Sequence, residues 1–478
     1  MSDRQGTNTR KVLLGIAGAI GLVGALLLVV SSWRRAPRQP NVLLVSIDSL
    51  RHDHLGCYGY ERDTSPTIDT LAREGALFRQ AIAPSSWTLP SHVTLLTAKP
   101  PEQHGVVRAN TRLAAGTPTL ARALHDAGYR TAAFVAAPFL RSLYGYADGF
   151  EVYDERLAAK GNLDSHRGVT SPTLVEAVNG WIRRWHDESA DRPFFVFLHM
   201  WDVHYDFDPP PPYDAMFDPG YRGSVNGRNF ELGNQVHRDM DPRDLQHVIA
   251  LYDGEIRYTD EHLGRVLEEL RELGVLDDTL VIVTSDHGEE FFEHGQKGHG
   301  KALYDETIRI PLVMRYPRGI AAGTVVDEQV RLMDVAPTIL GFTGVAAPPG
   351  FGAGDVEHRE RDLRAWLAPS TAQTELPELI AFSELSLRGR PLYSARTPQL
   401  KTIAIGRQRV AHARYDLAAD PGETRNLVGA SPVPEGLARL EQAHAAWHAH
   451  WRDQAMLAKP VQLDEEHAGR LRALGYID

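Results

Sequence analysis

The sequence predicts an α/β fold with a mostly parallel central sheet that helices cover on both faces. Two observations support this fold class: short apolar runs recur along the 478 residues, and stretches with helical spacing separate them. Strands of a parallel sheet are buried on both faces and form near-continuous apolar runs, while the helices between them make the crossover connections. The predicted strands are 41–47, 131–136, 194–198, 280–284 and 311–314, and the predicted helices are 117–127, 173–185 and about 241–273.

The composition is that of a globular chain with an acidic balance. Apolar residues make up 43% and charged residues 24% of the chain, which excludes a disordered protein. The net charge of -11 argues against nucleic acid as the main partner, because phosphate backbones select clustered Lys and Arg. Cys57 is the only cysteine, so the sequence excludes an internal disulfide and a cysteine-based metal cluster.

The first 40 residues predict a membrane anchor. Residues 12–30 carry no charge and are long enough to cross a bilayer as a helix, and a basic flank at 1–11 precedes them. We expect a retained single span rather than a cleaved signal peptide, because the apolar run is long and no small-x-small cleavage site follows it. Residues 31–40 are polar and contain proline, as in a linker. The chain would then be a single-pass protein of the cell membrane, with its catalytic domain exported to the periplasm or the cell exterior.

The remainder divides at about residue 345. The alternation of strands and helices continues through 41–345, which we assign to a catalytic domain. It weakens over 346–478, which we assign to a smaller C-terminal α+β subdomain. Short strand-like pieces and one helix are predicted there, at 379–383, 402–404 and 434–451.

Acidic and imidazole side chains follow two of the predicted strands directly. Asp48 ends the first apolar run, and Asp286 and His287 end the run at 280–284. In open α/β sheets ligands collect at the carboxyl ends of the strands, and carboxylates with imidazole suit a divalent cation. Either motif alone is as readily a turn or a helix cap, but together they favour a metal site.

Thr88 lies where a helix is predicted to begin. Pro90 suits the first helical turn, so Thr88 would sit at or just before the helix N-terminus. Unpaired backbone N–H groups and the helix dipole favour an anion there. The hydroxyl could serve only as a helix cap, or it could be a nucleophile if a metal lowers its pKa.

Side chains that could contact an anionic substrate lie in two further segments. His199 and His204 follow a predicted strand, and His299 and Lys301 follow the Asp-His pair. An imidazole or ammonium could donate to an oxyanion or protonate a leaving oxygen, although each could equally be a surface or turn residue. A solvated helix face is predicted for three acidic residues, Glu289, Glu290 and Glu293.

Five segments, in family order, carry a resemblance to known proteins: NVLLVSIDSLRHDHLGCYGYERDTSPTIDTLAREGALF, SSWTLPSHVTLLT, TLVIVTSDHGEEFFEHG with LYDETIRIPLVMRYP, RLMDVAPTILGFTG and YDLAADPGETRNL. Over about 41–427 the chain resembles the sulfatase family of the alkaline phosphatase superfamily. The resemblance implies an alkaline-phosphatase-like sandwich fold and metal-dependent cleavage of ester bonds. SSWTLPSHVTLLT stands where the family has its Cys/Ser-x-Pro-x-Arg signature.

The resemblance also implies roles for single residues. Thr88 would be the nucleophile, and His204 and His299 would contact the transferred group or the leaving oxygen, with Lys301 competing with His299. One divalent ion (Mn, Mg, Zn or Ca) is implied, because the Asp-x-x-x-His pair of two-metal members is missing before Asp286. The implied metal contacts are Asp48, Thr88, Asp286 and His287.

The sequence departs from the family pattern at the nucleophile and around it. Sulfatases convert Cys or Ser into formylglycine, an aldehyde that Thr88 cannot form. His92 replaces the signature arginine, Ser49 replaces a second aspartate, and GYRTAAFVAAPFL lacks the usual Gly-Lys-x-His. A threonine nucleophile is the pattern of phosphoester- and phosphonate-cleaving relatives and of phosphoglycerol and phosphoethanolamine transferases. It predicts a phospho-threonine intermediate that water or an alcohol attacks at phosphorus.

These observations predict a membrane-anchored hydrolase or transferase that cleaves a phosphodiester or phosphonate ester through Thr88. His92, His199 and Lys301 would bind the substrate, an anionic ester such as a lipid head group or an envelope glycan. Two alternatives remain open: a sulfuric ester hydrolase that uses Thr88 directly, and a non-catalytic binder of anionic envelope polymers.

Overall fold

The computed structural model describes residues 39–159, 169–354, 357, 359–367, 378–387, 389–452, 458–474 and 476–477. Residues from Pro40 onward form one compact unit. The predicted anchor at 12–30 lies outside the described residues, so it stays a prediction, as does the split at residue 345. Within the described ranges, no helix has both the length and the apolar character that a membrane span needs.

The described strands form one large sheet, one smaller sheet and two short pairs. In chain order they are β1 Asn41–Ile47, β2 Ala76–Ile82, β3 Thr111–Arg112, β4 Arg130–Phe134, β5 Val152–Asp154, β6 Phe194–Met200, β7 Thr279–Thr284, β8 Glu290–Phe291, β9 Lys297–Gly298, β10 Arg309–Arg315, β11 Thr324–Arg331, β12 Ala381–Leu385, β13 Leu392–Arg396, β14 Leu400–Ile405, β15 Val410–Asp416 and β16 Lys459–Pro460.

The large sheet has the strand order β11-β2-β10-β7-β1-β6-β4-β5. Its described pairs are parallel except those of β10, which runs against both β2 and β7. The predicted mostly parallel sheet is therefore confirmed. All five predicted strands belong to it, and the parallel pairing brings the carboxyl ends of β7, β1 and β6 to one edge.

Helices pack on this sheet, and the three predicted ones are present. The long helix begins as expected, with Asp241 as its cap and Pro242 as its first residue. The described helices are α1 Pro66–Glu74, α2 Thr88–Thr97, α3 Pro101–His104, α4 Leu120–Asp126, α5 Arg156–Ala159, α6 Ser171–Ser189, α7 Tyr213–Met216, α8 Pro242–Glu272, α9 Asp305–Ile308, α10 Val335–Thr343, α11 Arg364–Leu367, α12 Glu435–Arg452 and α13 Glu465–Ala473.

The C-terminal region adds a small antiparallel sheet, β12-β13-β14-β15, which confirms the predicted α+β character. The helix α12 packs on it through buried aromatic side chains, among them Trp447, whose ring stacks on Phe382. After α12, β16 pairs with β3 in a separate two-stranded sheet.

Candidate active site

The carboxyl ends of β1 and β7 bring Asp48, Asp286 and His287 together. The two strands pair in parallel with Ser46 opposite Thr284, so the residues that follow each strand leave the same edge of the sheet. All three side chains have no exposed surface. One ligand atom from each lies within 4.8 Å of the others. The sheet topology thus assembles the three side chains that the sequence predicted as metal ligands.

Distances within this cluster are those of groups that share a small space. Nε2 of His287 lies 3.3 Å from Oδ2 of Asp286 and 3.6 Å from Oδ1 of Asp48. The other ring nitrogen of His287 is 2.9 Å from the Gly288 carbonyl oxygen. Because a carbonyl only accepts, Nδ1 carries a proton, and Nε2 is the ring nitrogen that faces the two carboxylates.

Thr88 joins the cluster from the N-terminus of α2. Its Oγ1 lies 3.5 Å from Oδ2 of Asp48 and 3.4 Å from Nε2 of His287. The helix cap is Trp87, which makes no side-chain capping hydrogen bond, and Thr88 is the first helical residue. Its hydroxyl therefore faces the acid and imidazole groups instead of capping the helix, as a nucleophile at this position requires.

The donor set fits a divalent cation. Among the described residues, no hydrogen-bond donor satisfies Oδ2 of Asp286, although this atom is buried. Burial raises the pKa of Asp48 to about 6, against the lowering effect of His287. Two buried carboxylates without a counter-charge are costly, and a cation held by Asp48, Asp286, His287 and Thr88 would remove that cost.

Ser49 links the two acids through a strained backbone. Its φ of 57° lies in the left-handed region, which a residue with a side chain rarely adopts. In this conformation its N–H donates to Asp286 at 3.3 Å and its hydroxyl donates to Asp48 at 3.1 Å. The hydroxyl of Tyr252, from α8, donates to the Ser49 carbonyl at 2.8 Å and holds it. Neither Ser49 nor Tyr252 was predicted to have this role.

Two histidines that were predicted to bind substrate lie behind the cluster. Nδ1 of His92 donates to the Thr88 carbonyl at 2.9 Å, and its Nε2 is 2.9 Å from the Ser46 hydroxyl. Nε2 of His199, on β6, is 3.2 Å from Oδ2 of Asp48. Burial lowers the pKa of each imidazole to about 4. Both rings are completely buried, so their contacts place them as supports for Thr88 and Asp48.

His204 and His299 lie side by side next to the cluster. The His299 ring is 4.2 Å from the His287 ring and 4.9 Å from the His204 ring, measured between centroids. His204 stacks on Trp201 at 3.8 Å. His299 is thus in ring contact with a predicted metal ligand, and His204 adjoins His299.

Lys301 is held away from them by an ion pair. Its ammonium donates to Glu231 at 2.8 Å and to the Lys297 carbonyl at 2.7 Å. Of the two competing candidates, His299 contacts the metal-ligand cluster directly, whereas Lys301 has a resident acidic partner. The substrate-binding roles of Lys301, His92 and His199 stay predictions.

The expectation of a solvated helix face after the Asp-His pair was wrong. The segment forms the short hairpin of β8 and β9, and Glu289 and Glu290 are buried. The Glu289 carboxylate lies 3.2 Å from Nδ1 of His299. Another unpredicted neighbour is Tyr476, whose hydroxyl oxygen is 2.7 Å from Nε2 of His299. Sequence spacing could not reveal it, since Tyr476 comes from the distant C-terminus.

Comparison with known proteins agrees with this architecture. The family model described as Sulfatase matches residues 40–345. The chain is 22% identical to an N-acetylglucosamine-6-O-sulfatase of Bacteroides thetaiotaomicron, over 87% of each chain. It is 25% identical to human arylsulfatase A, over 88% of this chain and 90% of that protein.

The fold is also shared with solved structures. The phosphonate monoester hydrolase of Agrobacterium radiobacter superposes with a TM-score of 0.68 at 24% identity, over 89% of this chain and 98% of that one. The family match spans the strands and helices that carry the site just described, from Asp48 to His299. The chain belongs to the sulfatase family and is an enzyme that hydrolyses ester bonds.

Proposed function

We propose that this enzyme cleaves an anionic phosphodiester or phosphonate ester through direct attack by Thr88. The observation that carries the proposal is the position of the Thr88 hydroxyl, 3.4 Å from His287 and 3.5 Å from Asp48 at the start of a buried helix. A hydroxyl so placed can attack an ester whose charge the helix N-terminus stabilises.

The proposed reaction has two displacements at phosphorus. Oγ1 of Thr88 loses its proton to solvent and forms a bond to phosphorus, while the ester bond breaks and the leaving oxygen departs with the bonding electron pair. His204 or His299 supplies the proton that the leaving oxygen takes up. Water or an acceptor alcohol then attacks phosphorus and gives a proton to that histidine, and the Thr88 oxygen leaves and takes a proton back from solvent.

One divalent ion is proposed as the cofactor, held by Asp48, Asp286, His287 and Thr88. When bound, it supplies the Lewis acidity that lowers the pKa of a coordinated hydroxyl. The mixture of carboxylate, hydroxyl and imidazole donors suits Mn²⁺, Mg²⁺ or Zn²⁺ better than Ca²⁺, which prefers more oxygen ligands. His92 and His199 keep Thr88 and Asp48 in place from behind.

The chemistry of Thr88 favours phosphorus over sulfur. A formylglycine hydrate can expel sulfate by breaking its own C–O bond, and a threonine cannot. The intermediate on Thr88 must therefore be attacked at its central atom, which is ordinary phosphoryl transfer. Cys57 is the only cysteine in the sequence, so it is the only cysteine that could become formylglycine. It lies beside α1, where its backbone N–H donates to Asp69 at 2.7 Å.

A sulfuric ester is the second candidate, because the sequence relatives named above are sulfatases. In that case Thr88 would attack sulfur directly. A sulfate ester carries one negative charge, as a phosphodiester or a phosphonate monoester does, so one pocket could bind any of them. The two candidate reactions therefore differ in the atom attacked, sulfur or phosphorus, and not in the leaving alcohol.

Turnover of matched esters separates the candidates. The purified enzyme with Mn²⁺ is given 4-nitrophenyl sulfate, bis(4-nitrophenyl) phosphate and 4-nitrophenyl phenylphosphonate. We expect both phosphorus esters to be cleaved faster than the sulfate, and Thr88→Ala to lower kcat at least about a thousandfold, as loss of a nucleophile does. Thr88→Ser is the matched control, because it keeps the hydroxyl.

The covalent intermediate gives a second test. Mass spectrometry of the peptide that contains residue 88, after brief exposure to the phosphonate ester, should show the phosphonyl group on Thr88. A faster sulfate reaction with a sulfated Thr88 would establish the second candidate instead. Metal binding without turnover of any of the three esters would favour the non-catalytic binder of anionic polymers.

We also propose that the enzyme works at the cell membrane, with its catalytic unit exported. The support is the charge-free run at 12–30 with basic residues before it. A lipid head group or an envelope glycan would then be within reach. The full chain should sediment with membranes and be accessible to protease in spheroplasts, and a chain lacking residues 1–38 should be soluble and active. A full chain found in the soluble fraction would refute this placement.

A further inference from the structure

The C-terminal tail, defined here as residues 458–477, reaches into the candidate active site. It begins at β16, which pairs with β3, and continues through α13. Beyond that helix, Tyr476 is 4% exposed and its ring packs edge-on against Phe139, with centroids 4.7 Å apart. The Trp87 ring, next to the nucleophile in sequence, is 6.4 Å away. Tyr476 thus lies beside the residue that precedes the first turn of α2.

The phenol oxygen of Tyr476 is the meeting point of two imidazoles. It lies 2.7 Å from Nε2 of His299 and 3.2 Å from Nε2 of His204. A phenol hydroxyl can donate one hydrogen bond and accept another, so a single oxygen can bind both rings. These are the two rings that the proposed reaction uses at the leaving oxygen.

The opposite nitrogen of each ring is also bound. Nδ1 of His204 donates to the Tyr205 carbonyl at 2.7 Å, and Nδ1 of His299 lies 3.2 Å from Glu289. A planar ring bound at one nitrogen can still swing about that contact. A second contact at Nε2, shared between the two rings, fixes how each faces the other and the metal-ligand cluster.

We propose that Tyr476 is a positioning residue for the reaction: its hydroxyl, which donates to Nε2 of His204 and accepts from Nε2–H of His299, orients His299 to deliver this Nε2 proton to the leaving oxygen. This inference rests on the proposed function, since it assigns those histidines their task. It makes the C-terminal tail part of the active site, although the tail lies outside the residues matched by the sulfatase family model, 40–345.

The tail has other anchors, so the hydroxyl of Tyr476 is not needed to hold it. The Tyr144 hydroxyl contacts Nε2 of His467 at 3.1 Å, and the Val461 N–H donates to the Asn110 carbonyl at 2.9 Å. Tyr476→Phe should therefore keep the ring packed against Phe139 while removing the oxygen that joins the two histidines.

The test uses the dependence of rate on the leaving group. Tyr476→Phe is compared with wild-type enzyme on a phenyl and a 4-nitrophenyl ester of the same acid, with Mn²⁺ present. Protonation matters more for the poorer leaving group, so kcat for the phenyl ester should fall at least about tenfold further than kcat for the nitrophenyl ester, with little change in KM. The matched control is Tyr144→Phe, which removes one hydrogen bond of the tail that contacts neither His204 nor His299. Because the other anchors still hold the tail, it should leave the rates for both esters unchanged.

A contact measurement keeps the inference testable apart from turnover. In protein labelled with ¹⁵N-histidine, Tyr476→Phe should move the Nε2 resonance of His299, assigned with His299→Gln, and Tyr144→Phe should leave it in place. An unmoved resonance, or equal slowing of both esters by Tyr476→Phe, would overturn the role of Tyr476. If wild-type enzyme cleaves neither ester, the proposed function fails, and the resonance alone decides whether Tyr476 positions His299.

Discussion

Asp48→Asn is expected to stabilise the chelator-treated protein while removing its response to metal. Burial raises the pKa of Asp48 from 3.8 to about 6. A carboxyl whose pKa is higher in the folded chain favours folding most below pH 3.8, and that stability is lost as pH rises through about 6. Asparagine cannot ionise, so the variant avoids this loss and still contacts His199 and Ser49.

The size of the effect follows from the two pKa values. The gap from 3.8 to about 6 gives the metal-free variant an advantage of about 2 kcal/mol at pH 5 and about 3 kcal/mol at pH 8. Unfolding entropy is about 2.1 cal/mol/K per residue, so over roughly 440 residues the gain in Tm is about 2 °C at pH 5 and about 3 °C at pH 8.

Thermal unfolding is followed by circular dichroism, first with EDTA and then with excess Mn²⁺. The first measurement gives the stability of the metal-free protein, and the second gives its response to metal. With metal at a thousand times its Kd the order should reverse, since that ligand concentration stabilises wild-type protein by about 4.1 kcal/mol and the variant has lost an anionic ligand. Thr88→Val is the control, because it leaves the carboxylate and should keep the wild-type pH dependence. A variant less stable than wild type in EDTA at pH 8, or equally stabilised by Mn²⁺, would refute the reasoning.

Three further outcomes are expected. His299→Gln should lower kcat about 10²- to 10⁴-fold, as loss of a general acid does. Lys301→Met should lower kcat less than about tenfold, because the Lys301 ammonium already has an acidic partner. Steady-state kinetics on one ester compare the two variants. Cys57→Ala should leave kcat unchanged, and iodoacetamide should not inactivate wild-type enzyme, since burial raises the pKa of this thiol. Burial disfavours the ionised His294 ring, but the hydrogen bond and charge of Glu306 raise its pKa to about 9. The stability this pair contributes is complete below pH 6.5 and is lost as pH rises through about 9, so Glu306→Gln should lower the urea midpoint at pH 7 and much less at pH 9.5.

Each of these outcomes can fail separately. A larger loss for Lys301→Met than for His299→Gln would make the lysine the proton donor. Inactivation by Cys57→Ala would tie the thiol to catalysis. If Glu306→Gln lowers the urea midpoint equally at both pH values, the contribution of Glu306 to stability does not depend on the charge of His294.

The metal-ligand cluster could be predicted because each of its members has a local sequence context. Asp48 and the pair Asp286 and His287 directly follow apolar runs, and Thr88 precedes a proline in a first helical turn. The topology rule for parallel sheets then places strand ends at one edge without any knowledge of the coordinates. These four residues are therefore expected near one another from local sequence patterns alone.

The residues that the sequence did not reveal lack such context. Glu289 belongs to an acidic run that resembles an exposed helix, and only the hairpin of β8 and β9 buries it. Tyr476 follows α13, far along the chain from the histidines it contacts. Strands β2 and β11 were also missed, since Arg79 in one and the exposed pair Asp327 and Glu328 in the other interrupt the apolar pattern.

The charge balance of the site bears on which esters it can accept. Burial raises the pKa of Glu289 well above its ordinary value, which favours the uncharged acid. The charges of Asp48 and Asp286 then cancel that of one divalent ion, while the ammonium of Lys301 is paired with Glu231. Within the described part of the site, the remaining stabilisation for a second negative charge comes from the helix N-terminus and the imidazoles of His204 and His299. A singly charged ester therefore suits this pocket better than a doubly charged phosphate monoester. The second charge of the monoester would lose its water without gaining a full counter-charge, which costs free energy.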